Sequence, residues 1–220
     1  YCNILMRVGI EATNIVSGGG LQHLIEILNY FKINESQISQ IYVWTNHNTI
    51  KELPKFKWLK IFESNLSSNY LSFLKWLKYD LDKKLKNCEC DILFVPGGIY
   101  LGKFRPYVTM AQNLLPFDKK VRGHYKYSKE FFRYVLLEKL QKKTFEDSNG
   151  TIFLSNFSRL MIANNKIKKK SKVIPHGIDK SFFNIKKRRS IPSNNYNEPI
   201  KLLYVSIINH YKNQINVVKA

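Results

Sequence analysis

The sequence predicts an α/β protein, a parallel sheet with helices on both faces. Three observations carry this reading. Short, continuously apolar runs recur along the chain, as strands covered on both faces do. Segments with apolar residues at helical spacing alternate with those runs. Turn signals rich in Gly, Asn and Pro separate the two kinds of segment.

Residues 4–10, "ILMRVGI", predict the first buried strand; "VSGGG" and the helical pattern "LQHLIEILNYF" follow it. "QIYVWT" predicts a second strand. "NLSSNYLSFLKWLKYDLDKKLK" predicts an amphipathic helix with Leu66, Tyr70, Phe73, Leu74, Leu77 and Leu81 on one face. "DILFVPGG" is again a strand, closed by Pro96 and two glycines, and "YVTMAQNLLPF" is a strand running into a polar turn. Residues from about 124 to 146 predict one long basic helix ended by "SNG". "TIFLS", a helix from about 156 to 165, and "KVIP" complete the series. The charged, Asn-rich segment 180–199 predicts a linker, after which "IKLLYVSII" predicts a fresh strand. The expected organisation is a domain over 1–180, a linker over 181–199, and the start of a second, truncated α/β domain over 200–220. The opening Tyr1 in place of Met gives the same expectation of incompleteness at the front.

The formal charge is +20. Nucleic acid, anionic lipid or a phosphorylated substrate would each suit it, and so would a Lys-, Asn- and Ile-rich composition bias. The lysines are spread, with local clusters at "KIKKKSK" and "IKKRRS". Three cysteines, Cys2, Cys88 and Cys90, argue against a disulfide framework, and "CEC" lacks the neighbours of a zinc site. A reducing cytosol is the simplest setting. No apolar run approaches the ~18 residues a membrane span needs.

Four stretches can carry chemistry. Gly18, Gly19 and Gly20 lie between strand and helix, where free amides bind phosphate. The run lacks the G-x-G-x-x-G spacing and any following Lys-Ser/Thr, so a plain tight turn explains it as well. Gln112 and Asn113 lie at the carboxyl end of a strand, the ligand-binding edge of open α/β sheets. Their amides suit sugar hydroxyls or phosphate, whereas Asn113 capping the turn "LLPF" is the structural alternative. "VIPHGID" sets His176 in a sharp turn between the two units, and Lys212 follows a strand at the opening of a helix, where it can meet a phosphate or stay solvated. Asp80 and Asp82 look like a metal dyad, but positions two apart on a helix face apart, so a solvated charged face is expected. His124 could act as a base, with nothing in the sequence to orient it.

In order, "SGGGLQHLIEIL", "PGG", "VTMAQNLLPF", "GTIFLSNFSRLMI", "KVIPHGID" and "LLYVSIINHYKNQINVVKA" resemble the segments of a retaining glycosyltransferase of family 4. The resemblance runs from about residue 4 to Ala220. It implies the GT-B architecture: two Rossmann-like domains facing across a cleft, the N-terminal one binding the acceptor and the C-terminal one most of the nucleotide-sugar donor. Gly18, Gly19, Gly20, Ser206 and Lys212 would then bind the donor diphosphate. Gln112, Asn113 and Lys212 would be the catalytic set, and Gly97, Gly98, His124, Ser155 and His176 would line the acceptor cleft. Stabilising the departing nucleoside diphosphate is electrostatic catalysis at the leaving group. Same-face attack would retain the anomeric configuration, with no metal or cofactor beyond the co-substrate. Two departures stand out. Many relatives have His where Gln112 stands, and glutamine is no general base at neutral pH. Many also have Arg where Ile207 stands, which leaves more of the diphosphate to Lys212.

The resemblance implies a hexosyl- or mannosyltransferase-like enzyme of polysaccharide or lipopolysaccharide biosynthesis, inactive as residues 1–220 alone. Its partners would be a nucleotide sugar and a glycan or lipid-linked acceptor, with no nucleic acid. Its place would be the cytoplasm, peripheral to the inner face of the cell membrane. Trp58, Trp76 and the lysines of "KELPKFKWLKIF" and "FLKWLKYDLDKKLK" could rest on an anionic bilayer, or their helix could pack on its own sheet. The rival readings are a basic α/β domain holding nucleic acid by charge, and another two-domain nucleotide-sugar enzyme such as an epimerase.

Overall fold

The computed structural model describes residues 5–64, 66, 70–178, 183, 202–206 and 208–220. The chain divides into two compact units, Tyr1–His176 and Gly177–Ala220. The expected linker lies outside the described residues apart from Phe183, as do Cys2 and Ile207.

In the first unit β1 (Met6–Ala12) leads into α1 (Gly18–Tyr30), β2 (Ile38–Thr45), the short α2 (His47–Ile50) and β3 (Leu59–Glu63). A helix then runs from α3 (Tyr70–Lys75) through a π turn (Trp76–Asp80) into α4 (Leu81–Asn87). After β4 (Ile92–Val95) and β5 (Tyr107–Ala111) come α5 (Lys119–Gly123), α6 (Lys129–Asp147), β6 (Gly150–Phe153), α7 (Asn156–Ile162), α8 (Asn165–Lys168) and β7 (Ser171–Val173). The seven strands form one sheet in the order β3-β2-β1-β4-β5-β6-β7, every pairing parallel.

Both faces of the sheet are covered, as an all-parallel sheet requires. On one face Ile10, Ala12, Ile41 and Val43 pack against Leu24 and Leu28 of α1. On the other, Trp44, Leu93 and Val95 pack against Leu77, Leu81 and Leu85. A third cluster joins Ala111, Phe145, Phe153, Ile162 and Ile167 beneath β5 and β6. Gly9 is what lets α4 approach: a Cβ there would overlap Leu85 and lie 3.1 Å from Trp44.

The structure corrects several expectations. β3 begins inside the basic stretch "KELPKFKWLKIF" and ends one residue beyond it, where no strand is expected; only Leu59 of it is buried, as suits an edge strand. The π turn inserts a residue into the helical period, so Trp76 and Leu77 both face the sheet. Trp76 is 6% exposed and sits in the core, while Tyr70 is exposed. Trp58 packs its ring between Phe31 and Phe56, with centroids 5.3 and 4.9 Å away. Trp76 is therefore not presented to a bilayer, while Trp58 is half-buried. Among the described residues no helix is long and apolar enough to cross one. Asp82 is no solvated surface charge. It accepts from the Lys103 amide at 2.7 Å and from the Tyr100 hydroxyl, tying α4 to the loop after β4.

The helix expected over 124–146 begins only at Lys129, and the short α5 before it ends at Gly123, outside the expected span. Asp118 caps α5 and Ser128 caps α6 by accepting from Phe131 N, while Tyr127 at φ +64° breaks the chain between them. The next expected helix stops at Ile162, and Asn164 caps the separate α8. In the second unit a 3-10 turn (His210–Lys212) leads into α9 (Gln214–Lys219). Leu202–Val205 form no strand there; Leu203 is 89% exposed, and a strand needs a ladder partner that this unit does not supply among the described residues.

Glu11 is fully buried at the end of β1. Its Oε1 accepts from Thr13 N at 3.1 Å and from the Thr13 hydroxyl, while its Oε2 has no partner. Burial pushes its carboxyl up from an ordinary 4.5 to about 7, against the bonds from Thr13. A raised folded-state pKa means the folded protein holds the proton more tightly. That stability is complete below about 4.5 and is lost as pH rises through about 7. Glu11→Gln should therefore flatten the pH dependence of unfolding across this window. At pH 8 it should stabilise the fold by on the order of 2–3 kcal/mol, read by urea denaturation at pH 5 and 8.

Candidate functional site

Strand order reverses at β1, with β2 and β3 on one side and β4 onward on the other. The loops after β1 and β4 therefore leave the sheet in opposite directions and open a crevice at its carboxyl edge. A cavity of about 340 Å³ lies there. The β1–α1 loop supplies Asn14, Ile15, Val16 and Ser17, α1 supplies Gly20, and the turn after β4 supplies Pro96 and Gly97. The end of β5 and its loop add Ala111, Gln112 and Asn113, and α6 adds Arg133, Leu137 and Gln141.

The β1–α1 loop is held from below. The Ile15 carbonyl accepts from the Thr49 hydroxyl at 2.6 Å and from Asn46 Nδ2 at 3.0 Å, and Glu11 grips Thr13. Across the crevice Asn14 Nδ2 donates to the Gly97 carbonyl at 3.5 Å, and a Cβ on Gly97 would overlap the Asn14 amide.

Gly18–Gly20 form the first turn of α1. The side chain of the N-cap, Ser17, makes no capping bond, and no acidic residue sits in the first turn. The partial positive charge of this terminus is thus unopposed by its own sequence. The three glycines differ in reason. Gly18 adopts φ +69°, a conformation L side chains rarely take. Gly20 faces Gln112, whose Oε1 would be 3.3 Å from an added Cβ. Gly19 has neither a positive φ nor any neighbour within 4 Å of a Cβ, so packing does not require it. Of the three glycines only Gly20 lines the cavity.

Gln112 Nε2 lies 3.3 Å from His23 Nδ1. The His23 ring meets His176 edge-on, with centroids 4.3 Å apart. Burial, and then the charge of His176, hold the His23 imidazole below its ordinary range, which favours the neutral ring. His23 was not singled out in the sequence, although it lies three residues after Gly20 on the same face of α1. Asn113 does both jobs expected of it: it lines the cavity, and its Oδ1 accepts from Leu115 N at 3.0 Å to cap the turn.

Of the other sequence candidates, Gly97 lines the cavity, whereas Gly98, at φ +73° beside the Gln141 amide, does not. His124 is exposed at the end of α5, and Ser155 caps α7 in a reciprocal bond pair with Ser158; neither lines this cavity. Ser206 and Lys212 belong to the second unit. There Ser206 Oγ accepts from Gln214 Nε2 at 2.7 Å, and Lys212 Nζ lies 5.2 Å from the centre of the Tyr211 ring. Among the described residues no three His, Cys, Asp or Glu converge as a metal site.

No family model and no curated protein matches the sequence. Solved structures do. A glycosyltransferase from Rickettsia africae ESF-5 superposes with a TM-score of 0.50 at 17% identity, over 81% of this chain and 45% of that one. Anabaena HepE, solved in complex with UDP and glucose, gives 0.48 at 14% identity, over 79% of this chain and 45% of that one. The fold is the Rossmann-like α/β fold of GT-B glycosyltransferases. At this identity the likeness is one of fold, and this chain spans less than half the length of either structure.

The three glycines make separable predictions. Gly18→Ala should destabilise the protein by about 1 kcal/mol, through strain at positive φ. Gly19→Ala should stabilise it by about 0.5–1 kcal/mol, through helix propensity in open space. Chemical denaturation of the two variants beside the parent reads both signs.

Proposed function

We propose that the chain belongs to a retaining glycosyltransferase resembling family 4, which moves a sugar from a nucleotide donor to a glycan or lipid-linked acceptor. One observation carries this reading. At the switch point of the sheet a cavity of sugar size is rimmed by a helix N-terminus whose amides are uncapped by side chains and whose Gly19 is not needed by the fold. Amides at such a terminus suit the charge that develops on a departing diphosphate. The cavity lining has no carboxylate and one cation, and its amide and hydroxyl groups suit sugar hydroxyls.

In this reading residues 1–180 bind the acceptor and residues 200–220 belong to the donor-binding domain. Gly18, Gly19 and Gly20 approach the diphosphate, and Ser206 and Lys212 contact it from their own unit. Gln112 and Asn113 orient the reacting sugar. Gln112 offers an amide and no base, and the neutral His23 behind it fixes the orientation of that amide. Retention follows from attack on the face the leaving group departs from. The sugar and its acceptor remain those of surface glycan assembly, on the cytoplasmic side of the membrane. Neither the nucleic-acid nor the epimerase reading gains an observation from the site.

The test is transfer from a panel of nucleotide sugars by the full-length protein. Lys212→Ala should lose most turnover, on the order of 10²–10³-fold, the scale of one lost charge-stabilising contact. Gly19→Val should leave the protein folded yet raise the Kd for UDP or the matching nucleoside diphosphate. Unchanged turnover in Lys212→Ala removes that residue's role. Absence of transfer from every nucleotide sugar removes the reading.

A further inference from the structure

The α6 wall of the cavity is unused by the roles above. Arg133, Leu137 and Gln141 follow one another at intervals of four residues, so they share one face of that helix, over about 12 Å of its length. Gln141 is 6% exposed, and its Oε1 has no hydrogen-bond partner. An unpaired buried amide oxygen destabilises the protein that carries it, and a leucine would fill the same volume without that cost. Gln40, Trp76 and Arg159 carry an unpaired buried nitrogen too, but of these side chains only Gln141 lines the cavity.

Arg133 stands at the exposed end of the same wall. Its guanidinium lies 5.1 Å from the centre of the Tyr134 ring, and it makes no ion pair among the described residues. The nearby Arg122, by contrast, is paired with Glu138. With no carboxylate in the lining, nothing within the cavity competes for Arg133. A buried amide, an apolar step at Leu137 and an open guanidinium form a graded wall. That wall matches a ligand with hydroxyls at one end, a sugar ring's apolar face in the middle and an anionic group at the other end.

We propose that this wall is the acceptor subsite and that the acceptor is an anionic sugar, phosphorylated or carboxylated. Gln141 takes its hydroxyls and Arg133 its anionic group. Naming the ligand an acceptor rests on the glycosyltransferase reading; the chemistry of the subsite does not.

The experiment is ligand-observed NMR on the full-length protein with glucose, glucose 6-phosphate, glucuronate and inorganic phosphate, beside the transfer assay. Glucose 6-phosphate or glucuronate should bind about tenfold more tightly than either glucose or inorganic phosphate, a step of about 1.4 kcal/mol. Whichever of the two binds better identifies the anionic group. Arg133→Ala should bring both down to the level of glucose. Gln141→Leu should weaken every sugar, leave inorganic phosphate unaffected and keep or raise the melting temperature. Anionic sugars that bind no better than inorganic phosphate overturn the subsite. So does a Gln141→Leu variant that melts earlier while binding sugars as before, since the glutamine is then structural. If anionic sugars bind through both residues but no sugar is transferred, the subsite stands and only the glycosyltransferase reading falls. If transfer proceeds with both variants unaffected, only the subsite falls.

Discussion

The parallel pairing of β1 with β2 on one side and β4 on the other is the constraint from which the rest follows. β1 sets Gly9 opposite Tyr42 and Leu93, and Ile10 opposite Val43 and Phe94. A strand paired in parallel on both edges needs crossovers over both faces, and those crossovers are the helices that build the two main cores. Register is strict because each face of β1 has its own task. Val8, Ile10 and Ala12 meet the α1 side, while Gly9 and Glu11 meet the α4 side. A slip of one residue would drive Ile10 into the space that Gly9 leaves for Leu85 and Trp44. The same pairing places the strand reversal, and so the crevice, at the carboxyl end of β1.

Polar groups are concentrated at that end, and several are costly. Glu11 is buried with one oxygen unpaired, and Gln141 is buried beside the cavity with another. Gln40, Trp76 and Arg159 each keep an unpaired buried nitrogen as well, away from the cavity lining. Other buried polar side chains are satisfied: Thr144 bonds the Leu140 and Tyr100 carbonyls, and the Ser148 hydroxyl bonds Phe145 O and Thr151. Glu11 and Gln141 differ in what they return. Glu11 organises Thr13 and so the loop that bears Asn14 and Ser17, a structural return. Gln141 organises nothing comparable, which is why a ligand is the better explanation for it. The net charge of +20 does not mark the site, since the cavity lining holds one cation.

Six of the seven strands were legible because continuously apolar runs have one good explanation in an alternating chain. β3 was not, since "LKIFE" buries only its first residue and lies among lysines that read as a surface helix. The π turn was invisible for a different reason: a period of 3.6 cannot report an inserted residue, so the pattern left Trp76 open between a bilayer-facing and a sheet-facing position. Of the cavity lining, the legible residues were those at the ends of strands and in the turns that follow, Gly20, Gly97 and Gln112 with Asn113, which were expected from their position in the topology. His23, Arg133 and Gln141 sit on helices, where spacing separates core from surface and says nothing about which neighbouring loop a side chain meets. Asn14 was hidden by its ordinariness, because only the strand reversal brings it across to Gly97.

The residues the fold does not require are informative because of where they lie. Glycine at 19 lowers helix propensity without relieving any contact, and glutamine at 141 leaves a buried oxygen unpaired without closing a network. Each is a small loss of stability; Gln141 lines the crevice and Gly19 stands beside Gly20, which lines it from an element more than a hundred residues of chain away. Packing offers no reason for that coincidence, because α1 and α6 contribute to different cores and neither residue supports the other. Ligand binding does offer one: the first opens the backbone of α1 to an approaching phosphate, and the second keeps a hydrogen-bonding group in a wall that would otherwise be apolar. Gly18 and Asn113 show the contrast at the same rim, since backbone geometry explains the one and turn capping the other. The division of labour at the crevice is therefore readable: some residues hold its shape, and others are tolerated against the interest of the fold.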